Sequence, residues 1–353
     1  MFKLRTGITT GACATAAAKA GAMMLLGGDE IPTVKINVKG GELFIDIETF
    51  TKRAETVETA VRKYAGDDPD VTDQILIVAS VRKCENGIKV RGGNGVGVVT
   101  KKGLKVDVGK SAINPVPMEM ILSEVDKVTK SFQYNGGLDI IINVPDGETI
   151  AKKTLNSRLG IIGGISIIGT TGIVNPMSKQ ALIDTIKMEI DVLIANGCSE
   201  ILINPGNYGY YFAKDVLNVS VDNAVKCSNY IGKTLDYAYY MGVERILVVA
   251  HAGKLIKLAG GIMNTHSNVA DCRMEIIAAH CAINGMSSLV IKEIMQCVTV
   301  DEAIEIIKQS DLEKLIWSSI GDKISYYLNH RVRNDVEIEF VMFTHEHGIL
   351  VRR

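Results

Sequence analysis

Three strings in the second half of the chain carry side chains able to do chemistry at places where a fold would gather them. Asn204-Pro205-Gly206-Asn207-Tyr208-Gly209 closes the apolar run Glu200 to Asn204, and His251-Ala252-Gly253-Lys254 follows the run Arg245 to Ala250. Both runs read as strands of a parallel sheet covered on both faces, and open sheets of that kind bind ligands beyond the carboxyl ends of their strands. Carboxamides there would hydrogen-bond a ligand and glycines would let it approach the backbone. An imidazole beside an ammonium would orient an anion or handle a proton. The competing reading of the first string is a strand-to-helix turn that needs glycine for conformation alone, and of His251 a satisfied hydrogen bonder. The third string, Gly260-Gly261-Ile262-Met263-Asn264-Thr265-His266-Ser267, runs on to Asp271-Cys272-Arg273. Its polar groups would each cost roughly 1–3 kcal/mol if buried unpaired, so packing alone does not explain them. A solvated loop with Asp271 capping the next helix is the plainer alternative.

Other candidate motifs fail on spacing. Gly93-Asn94-Gly95-Val96-Gly97 is G-x-G-x-G with a strand after it, a weak dinucleotide fingerprint. Gly109-Lys110-Ser111 and Gly232-Lys233-Thr234 have Leu104 and Cys227 where a Walker loop needs its upstream glycine, which excludes that loop. Gly163 to Gly169 has the wrong spacing for a nucleophile elbow. The acidic loop Gly66-Asp67-Asp68-Pro69-Asp70-Val71-Thr72 misses the calcium register and reads as a turn, with a substrate-facing carboxylate as the alternative. His345-Glu346-His347 reads as a hairpin turn and receives no role; no metal ligand is assigned anywhere. Between Arg82 and Lys110 eight basic residues face only Glu85 and Asp107. With Lys152, Lys153 and Arg158 they would make a rim for a polyanionic ligand, or simply solvated strand faces.

The elements that position these groups are bounded by composition. The 353 residues carry 39 basic and 40 acidic side chains, a formal charge of −1, which argues against a dedicated nucleic-acid binder. The longest apolar stretch, Leu159 to Gly169, is too short to span a membrane. Lys3 and Arg5 ahead of a run of alanines mimic a secretory leader, but Thr15 and Lys19 interrupt it, so a folded alanine-rich helix is expected. Seven scattered cysteines without C-x-x-C spacing read as reduced thiols of a cytoplasmic protein.

An α/β chain of two domains is expected. Residues 1–150 read as an α+β domain on a mixed sheet: a hairpin over 34–38 and 43–47, a helix over 55–64, strands at 75–80, 88–91, 97–100 and 138–144, and a helix over 118–128. Residues 151–353 read as a three-layer α/β/α, Rossmann-like domain with a mostly parallel sheet. Its helices are expected over 179–196, 222–241, 270–283, 301–308 and 312–328, its strands at 200–204, 245–250, 336–343 and 349–352.

The segment Arg5-Thr6-Gly7-Ile8-Thr9-Thr10-Gly11-Ala12-Cys13-Ala14-Thr15-Ala16-Ala17-Ala18-Lys19-Ala20 resembles the opening signature of the CbiD family, the cobalt-precorrin-5B C(1)-methyltransferases of anaerobic cobalamin biosynthesis. Gly66 to Thr72, Gly92 to Leu104, Ala112 to Pro117, Ala151 to Asn156, Gly160 to Met177, Pro205-Gly206-Asn207 and Gly253 to Ser267 resemble that family as well, in order along nearly the whole chain.

The resemblance implies methyl transfer from S-adenosylmethionine to carbon 1 of cobalt-precorrin-5B, giving cobalt-precorrin-6A. Cobalt would arrive with the substrate, so no protein metal is required. In-line displacement at a sulfonium carbon asks the protein chiefly for alignment and exclusion of water. On that basis Asn204, Gly206, Asn207, Thr170 and Thr171 are expected at the donor, and His251, His266 and Asp68 in catalytic roles. Thr9, Thr10, Arg91, Lys101, Lys153, Arg158, Lys254, Asn264, Thr265 and Ser267 are expected at the carboxylate-bearing macrocycle. Partners beyond the substrate would be other enzymes of the same biosynthesis, and a homo-oligomer stays open. The strand-end loops lack the acidic residue common among Rossmann-like methyltransferases, which Asp67, Asp68 or Asp70 would have to replace. Two other readings stand beside this one: a nucleotide-dependent oxidoreductase, from the glycine loop, and a non-catalytic tetrapyrrole-binding protein.

Overall fold

Alanine and glycine side chains are small enough for a helix to be buried around nearly its whole circumference, and Thr10–Gly27 forms such a helix, α1. Thr9 caps its start by accepting the Ala12 N–H, and Gly28, at φ 89°, ends it. The computed structural model describes residues 4–353, which divide between Ser178 and Lys179 into two compact units.

In the first unit β1 (Gly7–Ile8) precedes α1, and a hairpin of β2 (Thr33–Val38) and β3 (Gly41–Asp46) follows it. Next come β4 (Thr49–Arg53), β5 (Thr56–Arg62), β6 (Leu76–Cys84), β7 (Ile88–Gly92), β8 (Gly95–Val96) and β9 (Val98–Val99). The unit continues with α2 (Pro115–Ser131), β10 (Gly137–Asn143), α3 (Gly147–Ala151), β11 (Ile161–Ile162), β12 (Gly164–Ile165) and β13 (Ile173–Val174). Its main sheet runs β4-β5-β6-β10-β7, antiparallel except for the β10–β7 pair, so it is mixed. α1 packs on β5 and β6, where the Thr59 hydroxyl donates to the Ala17 carbonyl.

Two expectations change here. Residues 56–62 are a strand, not part of a helix: Thr56, Val57, Thr59 and Val61 are β-branched, and the segment pairs on both sides with β4 and β6. The domain boundary expected at 150/151 lies inside the first unit. β11 pairs with β9, β12 with β8 and β13 with β1, which ties residues 161–174 to it. Gly95 sits where those segments meet, at φ 71°; a Cβ there would lie 1.8 Å from the Val144 carbonyl oxygen.

The second unit comprises α4 (Lys179–Ala195), β14 (Glu200–Asn204), α5 (Asn207–Asp215), β15 (Ala224–Lys226), α6 (Ile231–Tyr240), β16 (Arg245–His251) and α7 (Ala252–Ala259). After these come α8 (Arg273–Ile283), α9 (Ser288–Ile294), α10 (Val300–Lys308), α11 (Glu313–Arg331), β17 (Glu337–Thr344) and β18 (Gly348–Arg352). The helix expected over 222–241 is instead the short strand β15, a turn and the shorter helix α6. The sheet order is β15-β14-β16-β17-β18, with the first four strands parallel and β18 antiparallel. Ile203, Val248, Ala250, Phe340 and Met342 face a core shared with α7, α8, α10 and α11. On the other face Leu202, Val249, Val341 and Phe343 meet α5, where Phe212 stacks on Phe343 at 3.7 Å. From β14 the chain moves outward through α5 to β15, then returns through α6 past β14 to β16, so strand order reverses between β14 and β16. Among the described residues no helix is long and apolar enough to cross a membrane.

Glu124 on α2, 1% exposed, holds the first unit's helices to its hairpin by accepting from Lys19 of α1, Lys127 of α2 and Asn37 of β2. Burial works to raise its pKa, but the hydrogen bonds from Lys127, Lys19 and Asn37 outweigh it and bring it down to about 2. A depressed carboxylate stabilises the fold above its ordinary pKa and loses that contribution as pH falls toward the folded value. Glu124→Gln is therefore expected to cost about 2 kcal/mol at pH 7, with the gap closing as pH falls from 4.5 toward 2, read from urea midpoints across that range.

Candidate functional site

The reversal of strand order places Asn204, at the end of β14, beside the exit of β16, where His251 caps α7. α5 and α7 both begin here, and their leading N–H groups bring the positive ends of two helix dipoles to one crevice. The start of α5 has no side-chain cap: its N-cap is Gly206, and a Cβ added there would meet nothing within 4 Å. Asn204 is 1% exposed, and neither the nitrogen nor the oxygen of its side-chain carboxamide has a hydrogen-bond partner. A buried carboxamide left unpaired costs stability, which makes Asn204 a candidate for ligand binding.

Around it, Lys254 Nζ donates to the Pro205 carbonyl at 2.8 Å and Lys226 Nζ to Asn207 Oδ1 at 2.7 Å. Burial lowers the pKa of Lys254. His251 Nδ1 accepts the Gly253 N–H at 3.2 Å. Burial pushes the His251 pKa down, against the raising effect of Asp301, so the ring is neutral at pH 7, with its one proton on Nε2. In that tautomer it is a donor, not a base. Tyr208 on α5 closes an aromatic wall, edge-on to His345 at 4.7 Å, with the His251 and His345 rings 5.6 Å apart. These groups could bind a polar ligand with an anionic group and a flat ring, and could hold it by placement.

The third string forms a loop next to β15's exit. Thr265 Oγ1 donates to Asn229 Oδ1 at 3.2 Å, and Lys257, 4% exposed, pins the loop by donating to the carbonyls of Thr265 and Ala270. His266 Nδ1 accepts the Asn268 N–H, and Asn264 Oδ1 the His266 N–H, so these side chains largely serve the loop's own backbone. Ser267 is exposed. A groove of about 350 Å³ lies at the opposite, amino ends of the strands. It carries Glu200, Asp222, Glu337 and Glu339 against the single cation Arg245, a net negative lining unsuited to a polycarboxylate, and none of the candidate site residues named above.

Residues 1–176 match the CbiD family and residues 264–353 the CbiD C-terminal domain. The chain is 51% identical, over 97% of its own length and 89% of the relative's, to a protein of Ruminiclostridium cellulolyticum named cobalt-precorrin-5B C(1)-methyltransferase. This chain belongs to the CbiD family. A relative of the same name from Methanocaldococcus jannaschii is 42% identical over 93% of this chain and 91% of that protein. A crystal structure of a cobalamin biosynthesis protein (cbiD) from Archaeoglobus fulgidus, 30% identical, covers 75% of this chain and 83% of that one with a TM-score of 0.41.

Within the first CbiD match, five expected site residues gather at the start of α1, but mostly to serve backbone. Thr9 caps the helix, and Thr10 donates to the carbonyls of Ser166 and Ile168 and accepts the Ile168 N–H. Asp68 accepts the Met177 N–H at 2.8 Å, and Thr171 bonds Ile173 within its own turn. Thr170 is exposed, and with Thr171 it lies in the first unit while Asn204, Gly206 and Asn207 lie in the second. Elsewhere in the first unit, Arg82 and Arg91 share the Asp139 carboxylate and remain about half exposed. Lys101 Nζ donates to the Arg158 carbonyl, and Lys153 and Arg158 are exposed. The glycine loop leads into β8 and packs its backbone against Gly147 and Gly164, which removes its value as a dinucleotide site.

Sequence reasoning missed Tyr208 and His345 as site members. The signal was available in the strand expected over 336–343, which ends just before His345; in the structure β17 ends at Thr344, with His251 paired to Phe343, so His345 directly follows a third parallel strand end. The His251 assignment gives a direct expectation. In nitrogen-15 correlation spectra at pH 7 its Nδ1 resonates as an unprotonated acceptor and its Nε2 carries hydrogen; the reverse pattern would remove the donor role.

Proposed function

We propose that this chain methylates cobalt-precorrin-5B at carbon 1, giving cobalt-precorrin-6A, with S-adenosylmethionine as donor held at the crevice between β14 and β16. The names of its relatives support the reaction. The observation that supports the location is the unpartnered, buried carboxamide of Asn204 at the point where strand order reverses. On this reading the four parallel strands with helices on both faces act as a Rossmann-like binding sheet.

The donor supplies an electrophilic methyl group. Asn204, with Gly206 and Asn207 at the start of α5, would hold its polar parts, and Tyr208, His251 and His345 offer ring faces and edges to a flat base. The dipole ends of α5 and α7, with Lys226 and Lys254, favour a carboxylate in the crevice. His251 Nε2–H would orient an acceptor atom. Arg91, Lys101, Lys153 and Arg158 are the exposed cations suited to the substrate's carboxylates, and cobalt comes with that substrate. Thr9, Thr10, Asp68 and Thr171 are better assigned to holding the first unit's backbone in place, since their polar atoms are engaged there. Free thiols at all seven cysteines suit a reducing, cytoplasmic compartment.

Asn204→Leu, an apolar swap of similar size, separates ligand binding from folding. Calorimetry with S-adenosylhomocysteine is expected to show at least about 10-fold weaker binding, while the melting temperature stays level or rises because an unpaired polar group is gone. Unchanged affinity would move the donor elsewhere. Tight NAD(P)H binding without a response to S-adenosylmethionine would favour an oxidoreductase, and an unreacted methyl label in the presence of cobalt-precorrin-5B a carrier.

A further inference from the structure

His347, in the turn between β17 and β18, has a side chain only 6% exposed, yet its Nε2 atom is buried without a hydrogen-bond partner. Facing it at 3.9 Å is Oδ1 of Asp301, in the first turn of α10, also buried and unpartnered. That separation is too long for a hydrogen bond, so two groups of matching polarity are left unsatisfied against each other. The exposed Glu346 brings a third donor: one ligating atom from each of the three residues lies within 4.8 Å of the others.

We propose that Asp301, Glu346 and His347 form a binding site for a divalent transition cation. Imidazole nitrogen and carboxylate oxygens bind such ions at about 2.0–2.2 Å, so an ion between Nε2 and Oδ1 needs only a small closure of their 3.9 Å gap. The surrounding charge agrees. His347 Nδ1 lies 3.4 Å from Glu305 and 2.7 Å from Lys308 Nζ. Beside the imidazole, the carboxylates of Asp301, Glu305 and Glu346 against the ammonium of Lys308 leave two negative charges, which one divalent cation balances. Binding at Nε2 moves the ring's proton to Nδ1, where Glu305 accepts it in the usual carboxylate–histidine–metal arrangement. The ammonium of Lys308, partly exposed and 3.5 Å from Glu305, then turns to that carboxylate alone. The ion would fasten the β17–β18 turn to α10 and thereby hold His345 against His251 and Tyr208. The site is defined by its own ligands and does not depend on where the methyl donor sits.

The test uses the full chain, stripped with chelator and titrated with Mn²⁺, an ion that the seven free thiols hold poorly. Electron paramagnetic resonance is expected to show about one equivalent bound in the micromolar range, with the His347 ring signals broadened ahead of those of the other histidines. Glu346→Gln, at an exposed position that leaves the fold intact, should weaken binding about 10-fold, and His347→Gln about 100-fold. Absence of binding below millimolar Mn²⁺, or binding unchanged in Glu346→Gln, overturns the proposal in favour of an imidazolium ion pair among Asp301, His347 and Glu305.

Discussion

Strand order reverses between β14 and β16, and right-handed crossovers then force the helices that follow them onto opposite faces of the sheet. The starts of α5 and α7 therefore diverge at this point, which leaves a crevice between them. The crevice is thus a product of topology, and its positive helix ends exist before any side chain is chosen. What the sequence adds is Asn204 with nothing to bond, Gly206 with nothing in front of it, and His251 locked as a donor by its own helix. Methyl transfer asks for placement more than for proton chemistry, and the proposed site, with its unpaired carboxamide, imidazole donor and ring faces, suits that demand.

The first unit solves a different problem. Its short strands β8, β9, β11, β12 and β13 bury few side chains, so close backbone approach holds them, as at Gly95 between Val144, Gly147 and Gly164. Threonine and aspartate side chains around the start of α1 then satisfy backbone groups that no regular ladder reaches. The unit's exposed cations remain at the surface, where Arg82 and Arg91 share the Asp139 carboxylate and stay about half exposed.

Much of the second unit was legible because its strands are continuous apolar runs ended by polar residues: Glu200–Asn204 falls where the pattern puts it, and β16 extends the expected run only to His251. The segment 55–64 misled because Val57, Ala60, Val61 and Tyr64 also fit a helical stripe, and only pairing with β4 and β6 decides for a strand. β15 is three residues long, too short to show a period of its own. The unit boundary was hidden for a related reason, since two-residue ladders between distant segments leave no mark on local sequence. The turn at 345–347 is legible from its position between two strands, but the approach of Asp301 to His347 joins residues far apart in the chain and leaves no local pattern.

A crystal structure of the chain soaked with S-adenosylhomocysteine tests the central claim most directly. The account predicts ligand density at the carboxyl ends of β14 and β16, with the Asn204 carboxamide within hydrogen-bonding distance of it. Density confined to the amino ends of the strands, or to the start of α1, would contradict it.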